Sequence, residues 1–146
     1  MVKSIVFVCL GNICRSPLAE AIAREKIKQK GLDIVVDSAG TSHWHIGEAP
    51  CEGSQKIATL HGIDISHLKA RAVTPKDFSA FELIIALDSS NQKDLYAMGA
   101  KHVTKLRYYD KTNGDVPDPY FFDGFEGFEE VYTIIETCIE ELLNTL

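Results

Sequence analysis

Cys9 and Arg15 are separated by five residues and followed by a hydroxyl, in the run Cys9-Leu10-Gly11-Asn12-Ile13-Cys14-Arg15-Ser16-Pro17. A cysteine is a nucleophile as its thiolate, and a guanidinium offers a planar fork that grips two phosphate oxygens at once. The bare spacing is weak evidence, so its setting decides. Gly11 and Asn12 tolerate left-handed backbone, and Ser16-Pro17 reads as a helix N-cap followed by proline at the first helical position. A short loop turning into a helix aims several backbone N–H groups at one point, and the helix dipole adds positive potential there. Residues Leu10 to Ser16 are therefore expected to cradle an anion and to favour the thiolate of Cys9. The nucleotide-binding patterns Gly-x4-Gly-Lys-Ser/Thr and Gly-x-Gly-x-x-Gly are both missing, which disfavours a nucleotide ligand.

Such a loop needs a strand to end it on and a helix to start. Ser4 to Cys9 is a continuous apolar, β-branched run and is expected to be a strand. Leu18, Ala19, Ala21, Ile22, Ala23 and Ile27 recur at helical spacing and predict a helix over Pro17–Lys30, stopped by Gly31. A second strand is expected at Ile34–Val36, ending at Ser38-Ala39-Gly40. A helix follows over Gly53–His61, a strand over Leu83–Leu87, a helix over Asn91–Met98, a strand over Val103–Leu106 and a final helix over Phe125–Leu143. Strands that are apolar almost throughout, alternating with helices, imply a parallel α/β sheet covered on both faces. In such sheets ligands bind beyond the carboxyl ends of the strands, and Cys9 stands at one of those ends.

The chain of 146 residues is 45% hydrophobic and 25% charged, which fits one globular domain over residues 1–146. Fifteen Lys and Arg against twenty-one Asp and Glu leave a net charge of −6, the wrong sign for a broad nucleic-acid-binding face. An anion must be held locally. The longest apolar run, Ile5 to Leu10, is too short to cross a bilayer, and no cleavable leader is evident, so the expectation is a cytoplasmic protein without membrane insertion. Cys9, Cys14, Cys51 and Cys138 are too irregularly placed for a disulfide framework, and stapling is not expected. Cys51 and Cys138 read as small buried hydrophobes. A zinc site from Cys9, Cys14, His43 and His45 fits no familiar ligand spacing.

The chain resembles the low molecular weight protein-tyrosine phosphatases across nearly its whole length. The likeness is carried by the loop from Val8 to Pro17, Ser38-Ala39-Gly40-Thr41, Trp44-His45-Ile46-Gly47, His61-Gly62-Ile63, Leu87-Asp88-Ser89-Ser90-Asn91 and Asp118-Pro119-Tyr120. The resemblance implies a three-layer α/β sandwich with a four-stranded parallel sheet in order 2-1-3-4. It implies Cys9 as nucleophile, Arg15 as phosphate clamp and Asp118 as general acid, with no metal and no cofactor. Asn12, held by Ser38 and His67, would lock the loop, and Ser16 would hydrogen-bond the thiolate. Ile13, Trp44 and Tyr120 would grip the substrate ring. Cys14 would trap oxidised Cys9 as a reversible disulfide. The expected partners are phosphotyrosine proteins, such as a bacterial tyrosine kinase, with phosphate, sulfate or vanadate as small ligands, and the protein is expected to be a monomer.

The same residues have plainer readings. Asp118 between prolines suits a turn, Asp88 at a strand end suits a helix cap, and His67 suits a structural role. Phe121, where the family often has a second tyrosine, argues against control by dual tyrosine phosphorylation. Two rival functions use the same loop. An arsenate reductase needs two further cysteines close to the site to relay a disulfide, and Cys51 and Cys138 do not form the close pair expected after the third strand. A non-catalytic phosphotyrosine-binding or phosphocarrier module would have no use for the acid at Asp118.

Overall fold

The computed structural model describes residues 2–119 and 125–146. Its central strand is β1, Ser4–Cys9, whose residues alternate between two cores. Ile5, Phe7 and Cys9 pack on one side with Leu18, Ile22, Ile135 and Ile139. Val6 and Val8 face the other side with Leu95, Ala100 and Val103. Burial on both faces explains why the strand is apolar at every position from Ile5 to Cys9 rather than at every second one.

The first core is covered by α1, Arg15–Lys30, and by α5, Glu126–Asn144, which buries Val131, Tyr132, Ile135, Cys138, Ile139 and Leu142 along one stripe. Strand β2, Val35–Gly40, pairs in parallel with β1 from Ser4 opposite Val35 to Cys9 opposite Gly40. Strand β3, Leu83–Ala86, flanks β1 on the other side, and β4, Thr104–Lys105, closes the sheet. The order is β2-β1-β3-β4, as expected. Among the described residues the α-helices also include α2, Glu52–Leu60; α3, Asp77–Ala80; and α4, Ser89–Ala97, over the second core.

The departures from expectation are local. Helix α1 begins at Arg15 with Cys14 at the N-cap and no side-chain cap, because the Ser16 hydroxyl is engaged elsewhere. Strand β2 continues to Gly40 through Asp37 and Ser38, whose polarity hid it; both side chains have partners there. Strand β4 is cut to two residues because Leu106–Tyr108 wind into a 3-10 helix. No helix among the described residues is long and apolar enough to cross a membrane.

Candidate active site

The loop after β1 is held from outside by its carbonyls. Thr41 N–H donates to Cys9 O and Ser42 N–H to Leu10 O, both at 2.9 Å. Cys51 N–H donates to Ile13 O at 2.7 Å, and Ser54 Oγ to Cys14 O at 2.7 Å. In a trans peptide the N–H points opposite to its carbonyl. Outward carbonyls at 9, 10, 13 and 14 therefore turn the amides of Leu10, Gly11, Cys14 and Arg15 toward the cavity side. Asn12 makes the tightest turn, with φ of 57°, and its N–H reaches Cys9 Sγ at 3.2 Å. Gly40 lets the neighbouring strand come close: a Cβ there would stand 2.7 Å from Leu10 O and 3.1 Å from Asn12 N.

A directed chain of hydrogen bonds ends on the thiol. Buried Glu20 accepts from the Ser38 hydroxyl at 2.6 Å. Ser38 in turn accepts from Asn12 Nδ2 at 2.9 Å, and the same amide donates to Ser16 Oγ at 2.8 Å. With its oxygen so occupied, Ser16 has its proton for Cys9 Sγ, 3.0 Å away. Asn12 Oδ1 accepts the Arg71 N–H at 2.9 Å, which fixes the orientation of the amide. Glu20 is itself paired with Arg24 at 2.7 Å. Donors converging on a sulfur stabilise its anion, and those converging here are buried.

Arg15, only 5% exposed, donates through Nη1 to Asp88 Oδ2 at 2.8 Å and to Val116 O at 3.0 Å. Among the described residues both bonds fall on one nitrogen, so the Nε and Nη2 edge is the one offered to a ligand. Asp88 uses its other oxygen to cap α4, accepting the Asn91 N–H at 2.7 Å. Val116 N–H donates to Leu87 O at 2.8 Å, which hangs the following segment, Pro117-Asp118-Pro119, from the end of β3. Asp115 steadies the same segment: its Oδ1 accepts from Ser89 and from Lys105 Nζ. Burial pushes this carboxyl up, but Ser89 and Lys105 outweigh it and hold the group below the usual carboxylate range.

These elements enclose a cavity of about 170 Å³ lined by Cys9, Leu10, Gly11, Ile13, Cys14, Arg15, Trp44, His45 and Asp118. Trp44 is 72% exposed and stands at the rim. His45 lies against Gly11, where a Cβ would approach its ring to 2.9 Å, and its Nδ1 is 2.9 Å from Glu48 Oε2. The cavity thus joins a thiol, a half-free guanidinium, a row of amides, a carboxyl and an aromatic wall.

Cys9, Asn12, Arg15, Ser16, Ser38, Ile13, Trp44 and Asp118 meet in this site or its support. Tyr120 and Phe121 lie outside the described residues. Three expectations are overturned. His67 does not hold Asn12: it is exposed, lines a separate cleft with Asp64 and Arg24, and leaves the amide oxygen to the Arg71 backbone. Cys51 is not a buried hydrophobe, and the stapling that was not expected is present at Cys14 and Cys51. The two are joined in a disulfide with Cα atoms 5.4 Å apart, because the start of α2 lies against the loop at Ile13 and Cys14. Cys9 and Cys138 are free and buried. Sequence reasoning missed Asp88 as the partner of Arg15, since a cap signal shows only half its work, and it missed Arg71, which acts through its backbone. Among the described residues no cluster of three or more His, Cys, Asp or Glu could hold a metal ion.

The fold and the loop after β1 place this chain among proteins built to handle a phosphate ester. The family model for low molecular weight phosphotyrosine protein phosphatase matches residues 4–146, and the chain belongs to that family. Its relatives include the low molecular weight protein-tyrosine-phosphatase YfkJ of Bacillus subtilis, 44% identical over 98% of this chain and 95% of that protein. The YfkJ crystal structure superposes with a TM-score of 0.91, covering 99% of this chain and 94% of that one. PtpA of Staphylococcus saprophyticus, also named a low molecular weight protein-tyrosine-phosphatase, is 39% identical over 97% of this chain and 92% of its own length.

Proposed function

We propose that this protein hydrolyses phosphotyrosine through a phosphocysteine intermediate. The observation that carries this reading is the hydrogen-bond chain from Glu20 through Ser38, Asn12 and Ser16 to Cys9 Sγ, since it aims a buried donor at the sulfur that must attack and later leave phosphorus. Cys9 attacks phosphorus, and the loop amides and Arg15 stabilise the charge on the equatorial oxygens, work done by metal ions in kinases. Asp118 gives its proton to the departing phenolate. Once ionised, it takes a proton from the water that attacks the phosphocysteine. Ile13 and Trp44 receive the ring. Phosphate, sulfate and vanadate fit the same cradle, and the partner is a phosphotyrosine protein, such as a bacterial tyrosine kinase, met in the cytoplasm by a monomeric enzyme.

The test is steady release of phosphate from a panel of phosphotyrosine peptides. Cys9→Ser is expected to lower kcat by about 10⁴-fold or more while phosphate still binds. Turnover retained by that variant rejects the nucleophile. Release of phosphate from none of the peptides by the unaltered protein rejects the function.

A further inference from the structure

The proposed reaction uses one sulfur, yet three meet at this end of the sheet. Cys14 lines the cavity beside Cys9 and is bonded to Cys51, while Cys9 stays a free thiol with Ser16 and Asn12 as its partners. An oxidised pair and an intact nucleophile therefore coexist. Exposure rises outward: Cys9 is 3% and Cys14 6% exposed, and Cys51 is half-buried at the N-cap of α2. The bonds from Cys51 N–H to Ile13 O and from Ser54 Oγ to Cys14 O do not involve sulfur, so the bridge can open or close on a scaffold that stays in place.

We propose that Cys9, Cys14 and Cys51 form a three-thiol relay that reduces a hydroperoxide at Cys9 and passes the oxidation out to the Cys14–Cys51 pair, returning Cys9 to its reduced state. The relay rests on Cys9 being the reactive thiolate. In the first step that thiolate attacks the peroxide; an S–O bond forms, the O–O bond breaks, and hydroxide or alkoxide leaves, giving a sulfenic acid. Next the Cys14 thiol attacks the Cys9 sulfur, an S–S bond forms, and water leaves. Finally the Cys51 thiolate attacks the Cys14 sulfur and expels Cys9 as thiolate. Cys9 is a good leaving group because Ser16 and Asn12 already supply hydrogen bonds to its anion. In sum, two thiols and one hydroperoxide become one disulfide, one water and one alcohol or second water. A dithiol reductant reaching Cys51 from solvent restores both thiols. The consequence is a phosphatase that keeps its activity after an oxidative hit that would otherwise lock its nucleophile.

The experiment treats the reduced full-length protein, freed of reductant, with one molar equivalent of hydrogen peroxide. Residual turnover of p-nitrophenyl phosphate is read against each sample's own untreated rate, and disulfides are mapped by mass spectrometry after alkylation. The unaltered protein is expected to keep most of its activity and to yield a Cys14–Cys51 peptide. Cys51→Ser, and equally Cys51→Ala, is expected to lose roughly tenfold or more, to hold a Cys9–Cys14 bridge instead, and to recover with dithiothreitol. Cys138 is the internal control: burial, with Asp110 close by, pushes its thiol up to about 12, and it should appear in no bridge. The relay is overturned if the unaltered protein loses as much activity as Cys51→Ser, or if its bridge is Cys9–Cys14 or involves Cys138. An untreated protein without phosphatase activity that still yields the Cys14–Cys51 bridge after peroxide counts against the phosphatase reading and not against the relay.

Discussion

The floor and the walls of the cavity are built differently. Residues 9–16 form the floor, where four carbonyls, one thiol and both ends of the Asn12 amide are tied to β2 and the two residues after it, to α2 and its N-cap, to α1 or to the Arg71 backbone. The walls carry Trp44, mostly exposed, and Asp118, in a segment hung from Val116 and Asp115. Oxygens of a phosphoryl group are the same in every substrate, so their binding can be delegated to backbone that does not move. A ring and a departing phenolate vary in position, and side chains meet them. Errors in the floor should therefore spread through the backbone, whereas errors in the walls should cost only the contact removed.

Asp118→Asn removes the proton donor and keeps the side chain's shape. It is expected to lower kcat on phosphotyrosine peptides by about 10²–10⁴-fold, and far less on p-nitrophenyl phosphate, whose leaving group needs little protonation. Equal losses on both substrates would refute its role as acid. Gly40→Ala tests the floor from behind: the added methyl meets Leu10 O, Asn12 N and Gly11 C, all backbone. A loss of roughly 10²-fold in kcat/KM is expected from the displaced loop, with weaker phosphate binding measured by calorimetry. Unchanged phosphate affinity would break the distinction between floor and wall. Trp44→Ala should raise KM for aryl phosphates by about tenfold, the scale of one aromatic contact, and leave kcat nearly as it was.

The smallest effect lies outside the site, where Glu140 of α5 meets Lys30 and Lys26 of α1. Lys30 first, then Lys26, hold its carboxyl down to about 2. A depressed carboxylate contributes stability above its unfolded value, and that contribution is lost as pH falls toward 2. Because the group is solvent-exposed, the contribution is on the order of 0.5 kcal/mol. Thermal melts of Glu140→Gln should differ from those of the parent at pH 6 and converge with them near pH 2; a constant difference across that range would remove the pair from the account.

Strands and helices were legible in the chain wherever burial imposes a pattern. Ser4 to Cys9 and the stripe of α5 read directly because each residue's polarity follows its surroundings. Asp37 and Ser38 did not read as strand, since their polarity serves partners distant in sequence rather than the local period. The motif residues of the site were visible as types, and Cys9, Arg15 and Asp118 do line one cavity. Their supports were less visible. Arg71 acts through an N–H that any residue could supply, and the pairing of Cys14 with Cys51 depends on where α2 docks, which no spacing rule encodes.

Asp88 spends one oxygen on Arg15 and the other on the first turn of α4. That single carboxylate makes the phosphate clamp and a helix terminus on the opposite layer share a hinge pin. When a trianion or dianion draws the guanidinium toward itself, the tug is transmitted to the amide of Asn91. The tip of α4 should accordingly register ligand occupancy, as slower exchange of the Asn91 amide.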